Sequence, residues 1–369
     1  MKKDESSQVI FVGPLPPPVH GQAVSTQFIL EKIKSKRIKH ISFDTNEGSG
    51  GKLNRVKAHA LALKAITLNQ RKTIVYLSVN ARWGIFFTIV LSLVARLKKM
   101  RVLLHHHYYG HVEKSSFLLK VLTYAGGGEA VHITNCNAMS NAMKKTYPKI
   151  NNSIGFSNIG VVSSSLRPKI NASVGENIVL GHLSNLTQDK GIGTVIESYR
   201  KLINIFPNLK LHIAGPCSDS FATEEVAKIC DEMGEKVVYF DSVYGEDKQT
   251  FFDSIDIFVY PTKSDTQGIV NLEALACGKP VVATSLCCIP GDIGEEGGVA
   301  VPALSDFSET LKQYIDTFIS NPNFATTNAR RRYETLLQEH LLEQTSLFSV
   351  LSGDEGDNID LSFESGSRT

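Results

Sequence analysis

The strongest constraint on how this chain can fold is an alternation of short apolar runs with helical segments along most of its length. Runs rich in Val, Ile, Leu and Phe occur at Val9–Val12, His40–Phe43, Thr73–Leu77, Val102–His106, Ala130–Thr134 and Ile154–Ile159. They return at Asn177–Leu183, Lys210–Ala214, Lys236–Phe240, Ile257–Tyr260 and Val281–Thr284. Runs this short and apolar suit strands covered on both faces, the situation of parallel sheets flanked by helices. Parallel neighbours need a crossover helix, and the segments between the runs can supply one. The expected fold class is α/β with parallel sheets.

At 369 residues the chain exceeds one ordinary core, so two domains are expected. Val161 to Ser173 is poor in apolar residues and rich in turn formers, which reads as a linker. Residues 1–165 then form an N-terminal Rossmann-like domain and residues 166–345 a C-terminal one. A helical stretch from Phe307 to Leu351, broken near Asn321-Pro322, follows the second series, and its last part is expected to return to the first domain. The polar, acidic tail at residues 352–369 reads as disordered. The arrangement implies two parallel sheets facing an interdomain cleft, with ligands outside the carboxyl ends of the strands.

Lys and Arg number 39 against 37 Asp and Glu, a balance of +2 that gives no global reason to expect nucleic-acid binding. The six cysteines form no CxxC pair, and a reduced cytosolic compartment is the simplest expectation. Met1–Gln8 is polar, so no secretory signal is expected there. Gly84–Ala95 is the longest apolar run and is too short to span a bilayer. Being apolar all round, it reads as a buried helix. The basic cluster Arg96, Lys98, Lys99 and Arg101 behind it offers a rival, a helix lying on the inner face of an anionic membrane.

Chemistry concentrates at Asp265–Ala283, DTQGIVNLEALACGKPVVA. Asp265 lies in a loop, Gln267-Gly268-Ile269-Val270 turns into a helix, and Glu273 follows inside it. Unpaired N–H groups at a helix start attract anions, and a carboxylate accepts hydrogen bonds from sugar hydroxyls. Such a segment suits a ligand bearing both phosphate and hydroxyl groups. Lys190, in the turn before a second helix, is a candidate diphosphate clamp, although a lone loop Lys is more often merely solvated. His182 ends the strand before it, and Val243 lies in a strand-end turn where a nucleobase could rest. In the first half, Gly21 opens a helix after a proline turn and could cradle a phosphate or a polar acceptor group. His105 and His107 share one face of a strand end, with His106 on the other. They could bind sugar hydroxyls, and metal ligation is the rival. No DxD pair occurs, so a diphosphate held through metal in that manner has no obvious ligands.

Together these residues resemble the GT-B glycosyltransferases of the retaining family 4 type, from about Val9 to Leu304 and most densely from Gly181 to Pro302. The family's pair of acids falls on Asp265 and Glu273, its basic pair on His182 and Lys190, and its histidine on His107 within the His105–His107 cluster. Three departures stand out: Asp265 for Glu, His182 for Arg, and Asp241 where Gly is usual. The resemblance implies a retaining, metal-independent hexosyltransferase without a cofactor. It would move a sugar from a nucleotide-diphospho-sugar, by family weighting UDP-linked, to a saccharide or lipid-linked acceptor in envelope, exopolysaccharide or lipopolysaccharide synthesis. In that scheme Lys190 and the amides of Gly268–Val270 stabilise the departing diphosphate, Glu273 holds the ribose, and Asp265 and His107 hold the donor sugar. Glu273→Ala is expected to abolish transfer and leave the fold intact. A nucleotide-sugar epimerase shares the architecture but needs acid–base carboxylates of which only Asp265 is well placed. The third reading is a non-catalytic scaffold, favoured by the Asp265 and His182 departures.

Overall fold

The computed structural model describes residues 8–46, 51–69, 72–80, 84–162, 164–168 and 177–353. The polar opening residues 1–7, part of the expected linker and nearly all of the expected tail lie outside them.

The chain divides into two compact units, residues 1–161 with 339–369, and residues 162–338. The first contains β1 (Gln8–Gly13), α1 (Gly21–Ser35), β2 (His40–Asp44), α2 (Gly51–Leu68), β3 (Thr73–Ser78), α3 (Ile85–Leu97) and β4 (Arg101–His105). It continues through α4 (Gly110–Glu113), α5 (Phe117–Gly126), β5 (Val131–Thr134), α6 (Asn137–Thr146) and β6 (Asn152–Gly155). The second contains β7 (Ile178–Leu183), α7 (Ile192–Leu202), β8 (Leu209–Ala214), α8 (Ser220–Met233), β9 (Val237–Tyr239), α9 (Gly245–Asp253) and β10 (Ile257–Tyr260). It closes with α10 (Ile269–Ala276), β11 (Val281–Thr284), α11 (Ile289–Ile293), β12 (Gly298–Val301) and α12 (Phe307–Ser320). A last helix, α13 (Pro322–Ser352), begins in the second unit and ends in the first.

Each unit is built on a six-stranded sheet, ordered β2-β1-β3-β4-β5-β6 in the first and β12-β11-β10-β7-β8-β9 in the second. Every pairing recorded in both sheets is parallel. The order reverses between β1 and β3 in one sheet and between β7 and β10 in the other, the places where open α/β sheets receive ligands. Strands β3, β10 and β11 are buried at every residue, which is why their sequences are continuous apolar runs. In the first core, Phe11 stacks on Tyr76 at 4.4 Å, and Ile29 and Ile33 of α1 join Leu347, Phe348 and Leu351 of α13. In the second, α7 and α12 pack Ile192, Ile196, Leu311 and Ile315 over Leu211, Ile257 and Val282.

Three sequence expectations need correction. Ile154–Ile159 is not a continuous strand: β6 stops at Gly155, and a 3₁₀ turn occupies Asn158–Val161. β12 went unrecognised because its run is short and directly follows the polar segment Glu295-Glu296-Gly297. Among the described residues, the helix read as buried all round is buried on one side and largely exposed on the other. Ile85, Thr88, Leu91, Ser92 and Ala95 are buried, whereas Phe86, Val90, Leu93 and Leu97 are exposed.

Several histidines are buried in these cores, and no carboxylate partner is recorded for His106, His111 or His132 among the described residues. His106 Nε2 lies 2.9 Å from His132 Nδ1 with the two rings stacked. Burial lowers the pKa of His132 to about 4, and that of His111 likewise to about 4. Both fall below the ordinary 6.5, so the unfolded chain takes up protons first. Their stabilising contribution is complete above the unfolded pKa and is lost as pH falls toward the folded value. Between about pH 6.5 and 5, each such histidine should remove about 1.5 kcal/mol of stability. Urea denaturation of the full chain should show the midpoint dropping across that window, with a shallower drop in His132→Asn. A midpoint independent of pH there would show that these histidines are not held neutral by burial.

Candidate donor-binding site

The second unit gathers its polar side chains at the reversal point of its sheet. β7 ends at His182 and Leu183, and its neighbour β10 ends at Tyr260. Beyond β7 the chain turns through Lys190 and Gly191 into α7; beyond β10 it runs through Asp265 into α10. Gly191 has φ +87°, and a Cβ there would strike the carbonyl of Pro261. Glycine thus lets the two loops touch, and the Lys263 amide, donating to the Asp189 carbonyl at 2.8 Å, fastens them.

That fastening places Lys190 beside Asp265. Lys190 Nζ lies 2.6 Å from Asp265 Oδ2, and the Tyr260 hydroxyl donates to the same oxygen at 2.7 Å. Asp265 Oδ1 accepts from the amides of Thr266 (2.8 Å) and Gly268 (3.2 Å), so the carboxylate also caps the turn into α10. Burial pushes the Asp265 pKa up, but Lys190, Tyr260 and Thr266 outweigh it and hold the group below its ordinary value. Burial, with Asp265 beside it, drives the Tyr260 pKa well above its ordinary value, which keeps the hydroxyl a donor.

Gly268 precedes α10 with φ +67°. Ile269 and Val270, half-buried, form the first helical turn, whose N–H groups have no intrahelical acceptor. Asn271 in that turn is fully buried, and among the described residues both of its amide atoms lack a partner. Gln267, also buried, donates to Asp292 Oδ1 at 3.3 Å. Further along the helix, Glu273 is 7% exposed, with both oxygens on Lys248 Nζ of α9 at 2.8 and 3.0 Å. Burial raises its pKa despite the pull of Lys248. Val243, buried, lies two residues before α9, and Tyr244 between them is exposed.

His182 has a different task from the one its position implied. It is fully buried; Nδ1 lies 2.9 Å from the Val259 carbonyl and Nε2 3.0 Å from Ser184 Oγ. A carbonyl only accepts, so Nδ1 carries the proton and the Ser184 hydroxyl donates to Nε2. Burial lowers its pKa to about 4, against the raising effect of the Val259 bond. At neutral pH His182 is an uncharged strut between β7 and β10, and does not supply the charge implied by its place in the basic pair. Asp241 keeps φ +50° and offers its carbonyl to the Gly215 amide at 2.6 Å. The backbone there is left-handed, which explains a preference for Gly, and Asp tolerates it.

The remaining candidates belong to the first unit. His105 is buried with Nδ1 2.6 Å from the Tyr76 hydroxyl, and its ring lies 3.9 Å from that of His107. Burial, with His20 nearby, lowers the His107 pKa to about 3, so this ring is neutral. Gly21 opens α1 directly after His20, whose Nδ1 accepts from the Ala23 amide at 3.3 Å. His106 points away into the core.

Sequence reasoning missed Lys248, Tyr260 and Asn271. Lys248 sits in a polar helix, GEDKQTFFD, that looks like an ordinary solvated surface. Tyr260 had a usable signal, as the last residue of the strand leading to Asp265. Because Glu273 neutralises Lys248, the expectation that Glu273→Ala leaves the fold intact is revised. Glu273→Ala should cost about 2 kcal/mol by stranding a partly buried ammonium, and Lys248→Met in the same chain should restore part of it. Glu273→Gln, which keeps an acceptor for Lys248, should cost less. Thermal or urea unfolding of the three variants checks this order, and equal stability of Glu273→Ala and wild type would contradict it.

Residues 164–335 match the family model described as glycosyl transferases group 1. The capsular polysaccharide biosynthesis glycosyltransferase CapM of Staphylococcus aureus is 25% identical over 195 residues, 52% of this chain and 50% of that protein. An uncharacterized glycosyltransferase of Methanocaldococcus jannaschii is 32% identical over 124 residues, 33% of this chain and 30% of its own length. The chain thus spans half or less of the length of these curated relatives. Among solved structures, Anabaena HepE in complex with UDP and glucose superposes with TM-score 0.65 at 17% identity, covering 94% of this chain and 99% of that one. Sucrose-phosphate synthase from Thermosynechococcus elongatus gives 0.70 at 16% identity, covering 94% and 100%. The fold is the GT-B pair of parallel-sheet α/β domains, and residues 164–335 are similar to the glycosyl transferases group 1 family.

Proposed function

We propose that the protein transfers a hexose from a nucleotide-diphospho-sugar to a saccharide or lipid-linked acceptor, with retention of configuration and without a metal or cofactor. The observation that carries this reading is the Lys190–Asp265 pair at the open start of α10. A mobile cation and the amides of Ile269 and Val270 in the first turn of the helix are the two elements that stabilise a departing diphosphate. Lys190 is a point charge on a flexible stem, so exchanging Asp265 for a diphosphate oxygen needs only rotation of its own side chain. Asp265, released, can then accept from a donor-sugar hydroxyl. Glu273, held by Lys248, presents a fixed carboxylate to a ribose, with Val243 beside the base. Gln267, Gly268, Ile269 and Val270 line the phosphate turn. In the first unit, neutral His107, with His105 behind it, would contact a sugar hydroxyl, and Gly21 would lie against a polar ligand group. A uridine base and an envelope or exopolysaccharide acceptor are supported by HepE, solved with UDP and glucose, and by CapM, named for capsular polysaccharide biosynthesis. We further propose a cytoplasmic protein that works at the inner face of the membrane. Among the described residues no helix is long and apolar enough to cross one.

Titration of UDP into the wild type and into Lys190→Ala by calorimetry tests the clamp. The variant should bind about 10- to 100-fold more weakly, the worth of one or two charge-assisted hydrogen bonds. Equal affinities would remove Lys190 from the site.

A further inference from the structure

The one-sided burial of α3 leaves a surface that donor chemistry does not use. Phe86, Val90, Leu93 and Leu97 project from its open side, Leu97 with 74% of its surface exposed. At 3.6 residues per turn the four fall within an arc of about 60°. Helix α5 packs against one flank of α3 and exposes Phe117 and Tyr124; α2 packs against the other and exposes Leu53 and Leu68. Single exposed apolar side chains are ordinary, but several on three helices packed side by side mark a contact surface.

Charge identifies the contact. Residues 49–128, which contain these helices, carry thirteen Lys and Arg against one acid, Glu113. The rest of the chain carries 26 against 36, so the near-neutral total conceals a strongly basic segment in an otherwise acidic protein. Lys57 and Lys64 lie exposed on α2, Arg96 and Lys99 at the end of α3, and Lys114 and Lys120 around α5. A second copy of the chain would bring this face against itself, with like charges opposed around the apolar centre. A bilayer with anionic headgroups meets both demands: its acyl boundary takes the aromatic and aliphatic side chains, and its phosphates take the surrounding lysines and arginines.

We propose that the α2–α3–α5 face of the first unit docks on an anionic lipid surface, with α3 lying in the interface plane. This gives a physical site to the membrane location in the proposed function and rests on that part of it alone. Its test needs neither donor nor turnover, so either reading can fail without the other.

The test is co-sedimentation of the full chain with phosphatidylglycerol vesicles and, separately, with phosphatidylcholine vesicles. Binding should be confined to phosphatidylglycerol and weaken as salt rises. Leu93→Glu/Leu97→Glu should reduce it at least about tenfold, and Lys99→Glu/Lys120→Glu likewise, with unchanged circular dichroism. No binding to phosphatidylglycerol, equal binding to both lipids, or binding unaffected by either variant overturns the proposal. So does a dimer in sedimentation velocity that Leu93→Glu dissociates, which would assign the face to a second copy.

Discussion

The carboxylate of Asp265 is the interaction on which the second unit's polar site depends. One oxygen takes the Lys190 ammonium and the Tyr260 hydroxyl; the other takes two backbone amides at the start of α10. Four groups from two loops and a strand end therefore converge on one side chain, and their combined pull keeps it ionised against the cost of burial. Without it, Lys190 would lose its fixed position and the turn into α10 its cap. The shorter side chain of Asp compared with Glu matters here, because it holds the carboxylate close enough to its own backbone to bond with the Thr266 and Gly268 amides.

A second ion pair, Glu273 with Lys248, does comparable work further along the same helix. Both pairs set an acid on or beside α10 against a lysine from another element, so the helix is bordered by charges already neutralised within the protein. This permits a largely buried helix start to remain open to an anion: the arriving charge replaces one partner instead of entering an uncompensated field. Asn271, buried with its amide unengaged among the described residues, leaves further hydrogen-bonding capacity in the same turn. The histidines behave differently. His182, His132 and His111 are neutral by burial and act as uncharged hydrogen-bonding pieces.

The α/β class was legible because buried parallel strands have no polar face to hide: β3, β10 and β11 read as unbroken apolar runs. Asp265, Lys190 and Glu273 were legible because each stands next to a glycine turn or inside an apolar helix, where a charge is out of place. Lys248 was not, since its helix is polar and only the tertiary fold sets it against Glu273. The role of His182 was misread because its position in the motif implied a charge, whereas the bonds that neutralise it come from Val259 on a strand distant in sequence. The exposed side of α3 was hidden for a similar reason. An all-apolar helix carries no periodicity to say which of its faces the sheet covers.

The central claim is that the open start of α10, with Lys190 exchanged from Asp265, receives the donor's diphosphate. A crystal structure of the chain with UDP bound tests it most directly. The diphosphate should lie against the amides of Ile269 and Val270, with Lys190 Nζ turned from Asp265 to a phosphate oxygen and the ribose on Glu273. UDP bound elsewhere, or bound there with the Lys190–Asp265 pair intact, would contradict it.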